Sequence, residues 1–196
     1  MTAPANRYPR TVEIAQGEVS VSLMSRADEA DLLAFAQGLP VHDLLFLRRD
    51  ITHPKVLSAW SDGIEGGSIT SLIAREGGAI IGCSAVVRDE LSFSPHVGEL
   101  RVLVSPQGRD RGLGRVLIQE SFLVALTQGL EKLVAQMTVD QKGAITVFEE
   151  MGFSAEALLK EHVRDPNGVK HDLVVLSHDV ARFQAQMEAY GLTELI

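Results

Sequence analysis

The stretch RVLVSPQGRDRGLGRVL, Arg101–Leu117, constrains the fold of this chain more than any other part of it. An apolar strand, Leu100–Val104, runs into a turn rich in arginine and glycine, and an apolar helix begins at about Gly112. The first N–H groups of a helix have no partner within the helix, and the helix dipole places partial positive charge at the same end. This arrangement therefore predicts a phosphate site at the turn.

The turn is also positively charged, against the trend of the chain. The whole chain has a formal net charge of −8, whereas this stretch has only one acid, Asp110, up to its last arginine. The four arginines are Arg101, Arg109, Arg111 and Arg115. Gly112 and Gly114 carry no Cβ, so a phosphate can approach the backbone closely. We interpret the stretch as the footprint of a bound polyanion.

Two common phosphate-binding motifs are absent. The dinucleotide pattern G-x-G-x-x-G fails because Leu117 stands at the position of its third glycine. The P-loop ending G-K-[ST] does not occur in the chain. An unrelated nucleotide-binding α/β protein stays open as an alternative, and it predicts binding of ATP or NAD.

The pattern that fits is V-x-P-x-x-R-x-x-G-x-G, which resembles the pyrophosphate-binding motif of the GNAT superfamily of N-acetyltransferases. Its residues here are Val104, Pro106, Arg109, Gly112 and Gly114. A second stretch, QKGAITVFEEMGF (Gln141–Phe153), resembles the second signature of that family, N-x-x-A-x-x-L-Y-x-x-x-G-F. The two motifs occur in the order of the family. The resemblance covers roughly Val19–His178 and points to a bacterial subgroup.

Periodicity and turn residues predict the other elements. Predicted strands are Thr11–Ile14, Glu18–Leu23, Ser68–Arg75, Ala79–Asp89, Val97–Val104, Lys132–Thr138, Phe153–Val163 and Val169–Ser177. Predicted helices are Arg26–Gln37, Pro54–Ile64, Gly112–Gln128, Lys142–Met151 and Val180–Tyr190, with a short helical or irregular piece at His42–Arg49. Met1–Arg10 is predicted to be a loose tail.

This element order resembles that of the GNAT fold, apart from the first hairpin strand. The resemblance implies an α+β fold layered α/β/α, with a mixed, mostly antiparallel sheet that splays at its central strands and has helices on both faces. We expect an N-terminal tail and first short strand at 1–17, the acetyltransferase domain at 18–179 and a C-terminal helix at 180–196.

A chain of 196 residues with 45% apolar and 22% charged residues is ordinary for one globular domain. The N-terminus lacks a signal-peptide pattern, and the longest apolar run, Ala79–Val87, is too short to span a bilayer. We therefore expect a soluble, cytoplasmic protein without a membrane partner. The acidic net charge argues against a nucleic-acid partner and is compatible with cationic substrates.

Neither cysteine nor histidine predicts a metal site. The single cysteine, Cys83, lies in an apolar strand, which predicts a buried, inert thiol. The histidines are scattered and lack the H-E-x-x-H pattern or cysteine partners, so we expect no metal. They are His42, His53, His96, His162, His171 and His178.

The resemblance implies direct transfer of acetyl from acetyl-CoA to a primary amine in a ternary complex, without a metal. The pantetheine arm of CoA would enter the splay and pair with the backbone of Leu103 and Val104. An N–H there, assigned to Val104, would polarise the thioester carbonyl. The N–H groups of Arg111, Gly112, Leu113, Gly114 and Arg115 would hold the pyrophosphate, and Arg109 of the same turn is a further cofactor-binding residue. Gln141 could touch the CoA arm, and Phe148 would line the cleft.

An ammonium substrate must lose a proton before it attacks, which requires a base. Glu99 is the candidate, because a carboxylate within a strand covered by helices is unusual. By alternation Glu99 and Arg101 share one face of their strand, so a simple ion pair between them is the alternative. Both interpretations stay open.

The family's second signature commonly has a tyrosine where this chain has Phe148, and that tyrosine is thought to protonate the departing sulfur. Phenylalanine cannot do so. A thiol with a pKa near ~8.5 leaves tolerably as a thiolate, and water, Thr146 or Ser105 could substitute. The departure also keeps open a second function, a non-catalytic acyl-CoA-binding or regulatory module.

The sequence does not identify the acceptor amine. His96 and the pair His171-Asp172 could face it, although a surface position is the simpler interpretation. Leu44–Phe46 and Trp60 are candidates for an acceptor pocket, with plain core as the alternative. A homodimer stays open, with the terminal helix and the last hairpin as its candidate contact.

Overall fold

Alternating apolar residues and turn residues produce eight strands and five helices in residues 7–189, the part of the chain that the computed structural model describes. The strands are β1 (Arg10–Ile14), β2 (Gly17–Leu23), β3 (Ile69–Glu76), β4 (Ala79–Val87), β5 (Val97–Val104), β6 (Lys132–Thr138), β7 (Ser154–Arg164) and β8 (Lys170–Asp179). The helices are α1 (Glu29–Gln37), α2 (Pro54–Glu65), α3 (Leu113–Thr127), α4 (Lys142–Glu150) and α5 (Val180–Ala189). Short 3-10 turns occupy Arg26–Asp28, Val41–Leu44 and Pro106–Gly108. Tyr190, the predicted end of the last helix, and residues 1–6 of the predicted tail lie outside the described residues.

The eight strands form one sheet in the order β1-β2-β3-β4-β5-β6-β8-β7. The neighbours β5 and β6 are parallel, and the other neighbouring pairs are antiparallel. Helices cover both faces, because the residues of α1 and α2 pack in one hydrophobic cluster and those of α3 and α4 in another. The predicted α+β architecture is confirmed.

The sheet opens between β5 and β6. The two strands pair only at their first residues, through Val97–Lys132, Gly98–Leu133 and Glu99–Val134. Beyond Glu99, β5 continues alongside β4, whereas β6 continues alongside β8. The two strands therefore diverge toward their carboxyl ends, which confirms the predicted splay and leaves a V-shaped gap.

Each face of the sheet has its own apolar core. Leu100, Leu117 and Leu133 are almost fully buried where α3 packs on the sheet. On the other face, the Trp60 ring of α2 is buried, and its indole N–H donates to Ser71 Oγ at 2.7 Å. Trp60 is thus a core residue, as the alternative interpretation proposed. Burial also raises the pKa of the Cys83 thiol to about 12, which agrees with the predicted inert cysteine.

The predicted loose tail is wrong from Arg7 onward, because a buried carboxylate on α3 binds this segment. Glu120 accepts hydrogen bonds from the guanidinium groups of Arg7 and Arg10 at 3.0 and 2.9 Å, and from the Tyr8 hydroxyl at 2.8 Å. The Glu120 side chain is only 7% exposed. Long-range contacts of this kind leave no trace in local periodicity.

Candidate functional site

The N-terminus of α3 presents free backbone N–H groups. The first backbone hydrogen bond of the helix runs from the Val116 N–H to the Gly112 carbonyl, and no side chain caps the helix. Among the described residues, nothing accepts from the N–H groups of Leu113, Gly114 or Arg115. Gly112 has a φ of +82°, a conformation that favours glycine and turns the chain into the helix. The predicted anion-binding geometry is thus present.

The edge of β5 that faces the gap also carries free backbone groups. The Ser105 N–H donates to the carbonyl of Ile81, just beside this ladder, at 2.9 Å. Because bonded and non-bonded pairs alternate in an antiparallel ladder, Leu103 faces β4 and Val104 faces the gap. The prediction for the Leu103 backbone is corrected accordingly, since its peptide groups pair with Cys83. The Val104 N–H points to the gap, as its predicted role requires.

The gap and the α3 N-terminus together form a cleft of about 670 Å³ between the diverging ends of β5 and β6. The predicted cofactor residues that line it are Leu103, Val104, Arg109, Gly112, Leu113, Gly114, Arg115, Gln141 and Phe148. Arg111 and Glu99 are not among the described residues that line the cleft. The structure thus brings the residues of both sequence motifs to one cavity.

The three arginines of the turn have different partners. Arg109 pairs with Asp43 and Arg115 with Glu150, and both guanidinium groups are about half exposed. The Arg111 side chain is 11% exposed and is held by both oxygens of Glu76, at 2.6 and 3.0 Å. It also donates to the carbonyls of Ala15, Gln16 and Gln107. The Arg111 side chain thus fastens the turn to the first hairpin, and the role of its backbone N–H at the pyrophosphate stays a prediction.

Glu99 forms the ion pair that the alternative interpretation predicted. Its two carboxylate oxygens accept from Arg101 at 2.9 and 3.1 Å, and Arg48 lies 3.8 Å away. The side chain is 17% exposed. Both oxygens of the Glu99 carboxylate are thus occupied by the Arg101 guanidinium.

Gln141 and Phe148 position the second wall of the cleft. The Gln141 side-chain oxygen accepts from the Thr138 N–H at 3.2 Å, which ties the start of α4 to the end of β6. The Phe148 ring is 6% exposed and packs edge to face on Phe153, with ring centroids 5.0 Å apart. Phe148 thus contributes an apolar surface at the position where the family commonly has a tyrosine.

The geometry agrees with what comparison with known proteins shows. A family model described as acetyltransferase (GNAT) family matches residues 32–153, more than half of the chain. The chain belongs to the GNAT acetyltransferase family. This membership removes the alternative of an unrelated nucleotide-binding protein.

The individual relatives of this GNAT protein are distant. It is 31% identical over 83 residues to "Probable N-acetyltransferase family 8 member 5" of Mus musculus, a match that spans 41% of this chain and 37% of that protein. A GNAT-family acetyltransferase from Streptococcus pneumoniae superposes with a TM-score of 0.71 at 18% identity, over 82% of this chain and 99% of that one. Spermidine N-acetyltransferase from Vibrio cholerae, solved with CoA and spermine, gives a TM-score of 0.71 at 16% identity, over 85% and 98%. At these identities the solved structures show the fold alone.

Sequence reasoning missed two acidic residues that this GNAT protein places at its cleft. Asp43 follows α1 and Asp140 follows β6, and both line the cleft, as does Phe46 of the predicted acceptor-pocket candidates. His42 contacts Asp140, with 2.6 Å between Nε2 and Oδ2. No local pattern marks these residues, because their proximity depends on how the segment after α1 crosses the sheet.

Outside the cleft, two histidines of this GNAT protein make structural contacts. Residues 7–189 hold no group of three histidine, cysteine or acidic side chains that could bind a metal. His53 caps α2, and His178 packs among Phe122, Phe153 and Phe183. No helix in the same range combines the length and the apolar character that crossing a membrane requires.

Proposed function

We propose that this protein transfers acetyl from acetyl-CoA to a primary amine by direct attack in a ternary complex. The observation that carries the proposal is the uncapped N-terminus of α3 at the wide end of a cleft whose walls are the diverging strands β5 and β6. A diphosphate fits the first feature, and an extended arm that adds to the free edge of β5 fits the second.

The chain's own residues are suited to hold this donor. The N–H groups of Leu113, Gly114 and Arg115 would bind the diphosphate, with Arg109 and Arg115 as exposed cations beside it. Acetyl-CoA, when bound, supplies an acetyl group activated as a thioester. The Val104 N–H, which faces the gap, would donate to the thioester carbonyl and stabilise the negative charge that develops there.

The Phe148 position affects the last step of the reaction. Phenylalanine has no proton to give to the departing sulfur, and neither Ser105 nor Thr146 is among the described residues that line the cleft. The Ser105 hydroxyl oxygen accepts from the Gly108 N–H at 3.3 Å, within its own turn. Because a thiol is a good leaving group, loss of this acid costs less here than it would for an alkoxide. We infer that solvent protonates the thiolate.

The acceptor is an amine whose identity the cleft does not specify. The acidic net charge of −8 favours a cationic acceptor. A cytoplasmic location and a homodimer are further proposals from the sequence.

The proposal is tested by release of free thiol from acetyl-CoA, followed with a panel of primary amines that includes a diamine, an amino acid and a lysine-containing peptide. We expect amine-dependent thiol release and acetylated product by mass spectrometry. Arg109→Ala should weaken CoA binding about tenfold, because charge-assisted contacts to phosphate are lost. Arg164→Ala, an exposed arginine on β7, is the control and should bind CoA like the parent. Thiol release unaffected by every amine would contradict the proposal.

A second candidate is a non-catalytic acyl-CoA-binding module of the same fold. Phe148 at the tyrosine position and the neutralised Glu99 favour it. It predicts CoA binding by calorimetry without turnover of any amine in the same panel.

A further inference from the structure

The 3-10 turn Val41–Leu44, named here the bridging segment, crosses the wide end of the cleft. Two consecutive side chains of this segment contact opposite walls. Asp43 pairs with Arg109, which follows β5, and His42 contacts Thr138 and Asp140 at the end of β6. An imidazole is thereby held beside two residues that line the cavity, its neighbour Asp43 and its partner Asp140.

His42 has the partner that a catalytic imidazole needs. Its Nε2 lies 2.6 Å from Asp140 Oδ2 and 3.3 Å from Thr138 Oγ1. A carboxylate at this distance places the ring hydrogen on Nε2 and leaves the lone pair of Nδ1 free. Among the described residues, none hydrogen-bonds to Nδ1. The side chain is 37% exposed, so an amine can reach it.

Asp140 is suited to orient the ring because it stays ionised. Burial acts to raise the pKa of Asp140, but hydrogen bonds from Thr138 and the contact with His42 outweigh burial and hold its pKa below the ordinary value. The carboxylate therefore also stabilises the imidazolium that forms when His42 takes a proton.

The other charged and titratable groups around His42 come from β8, from the turn after β7 and from the bridging segment. The His171 ring of β8 packs edge to face on the His42 ring, with centroids 5.2 Å apart, and its Nε2 lies 3.3 Å from Asp165 Oδ2. Asp43, on the bridging segment itself, is neutralised by Arg109. The His42 ring thus contacts one carboxylate, Asp140, and one further imidazole, His171.

We propose that His42 is the general base of the acetyl transfer and that Asp140 is its positioning residue, an inference that rests on the proposed function. Imidazole accepts protons near neutral pH, and its partner Asp140 lines the cleft, whereas both carboxylate oxygens of Glu99 are paired with Arg101.

The chemistry balances without a further reactant. His42 Nδ1 takes one proton from the substrate ammonium, and the freed nitrogen lone pair forms the C–N bond to the thioester carbon. The C–S bond breaks with its electrons on sulfur. The amide nitrogen then loses its second proton to solvent, and solvent protonates the thiolate to the thiol. The imidazolium releases the first proton to solvent.

The test compares His42→Gln, His42→Ala and Asp140→Asn with the parent, using acetyl-CoA and the amine of the panel that the parent acetylates fastest. We expect His42→Gln to lower kcat by about a hundredfold or more and to remove the acidic limb of the pH profile. CoA affinity should change little. Asp140→Asn should lower kcat and shift the same limb, because an amide no longer fixes the tautomer.

Two controls make the result specific. His162→Gln, an exposed histidine on the edge strand β7, should keep the parent rate and profile. Added imidazole should restore part of the lost rate to His42→Ala, measured as acetylated amine, and leave the parent unchanged.

The outcomes separate this inference from the function on which it rests. A parent enzyme that acetylates no amine contradicts the proposed function and the inference together. An active parent whose pH profile survives His42→Gln contradicts only the assignment of the base. Loss of the acidic limb in Glu99→Gln but not in His42→Gln would assign the base to Glu99 instead.

Discussion

At the scale of single residues, Arg109 and Arg111 show what a motif predicts and what it does not. Both belong to the same turn, but only Arg109 occupies the arginine position of the pattern, and Arg111 stands at an unspecified position. In the structure the Arg109 guanidinium lies at the cleft beside Asp43, whereas Arg111 points away and is held by Glu76. Arg109 therefore lines the cleft, and Arg111 holds the turn against Glu76.

His178 is the residue whose charge should matter most for stability. Its ring packs among Phe122, Phe153 and Phe183, and its Nδ1 is buried without a hydrogen-bond partner among the described residues. Desolvation lowers the pKa of His178, which outweighs the opposing effect of Asp179. Below about pH 6.5 the unfolded chain therefore binds a proton that the folded chain resists, and stability falls.

The expected result is a free energy of unfolding that decreases from pH 7.5 to pH 5.5, less steeply in His178→Gln than in the parent. Urea titrations at each pH measure it. His162→Gln is the matched control, because this histidine is exposed on the edge strand β7 and lies outside the core. Identical slopes for His178→Gln and the parent would refute the assignment.

At the scale of elements, local sequence pattern predicts the helices and strands but few of the tertiary contacts that hold them in place. Val97–Val104 and Lys132–Thr138 are strands with the predicted bounds, because alternation and flanking turns mark their ends. The predicted helix Arg26–Gln37 begins with a 3-10 turn, and the piece His42–Arg49 contains only the turn Val41–Leu44. Such short turns depend on the contacts made by their side chains, which the sequence does not display.

Glu120 is the element-scale contact with the clearest consequence for stability. Glu120→Ala leaves the Tyr8 hydroxyl and two guanidinium groups without their buried partner. We expect a loss of about 1–3 kcal/mol in the free energy of unfolding. Gln119→Ala, an exposed neighbour on the same helix, should change it by less than about 0.5 kcal/mol. Chemical denaturation of both variants measures the difference, and equal effects would contradict the role given to Glu120.

At the scale of the whole molecule, the two sheet halves meet at three residue pairs between β5 and β6. Hydrogen exchange should report what fills the gap above this junction. CoA should slow exchange at the gap-facing amides of β5, such as Val104, and at Leu113, Gly114 and Arg115. Exchange in the β3–β4 hairpin should be unchanged. Uniform slowing, or none, would contradict the placement of CoA in the cleft.

The sequence predicts the fold well because two motifs and the order of elements agree with each other. It predicts the donor half of the site for the same reason, since Arg109, Gly112 and Val104 are neighbours in the chain. The proposed acceptor half is different. His42 and Asp140 are far apart in sequence and meet only because the bridging segment crosses the sheet.

Arg111 donates hydrogen bonds to the carbonyls of Ala15 and Gln16. The family match begins at residue 32, after both of these carbonyls, so a gene trimmed to the match would encode the phosphate turn without its anchor. Such a shortened polypeptide should keep the sequence motif of the turn but lose its affinity for acetyl-CoA. We therefore expect the smallest unit that binds the donor to extend beyond the matched residues 32–153.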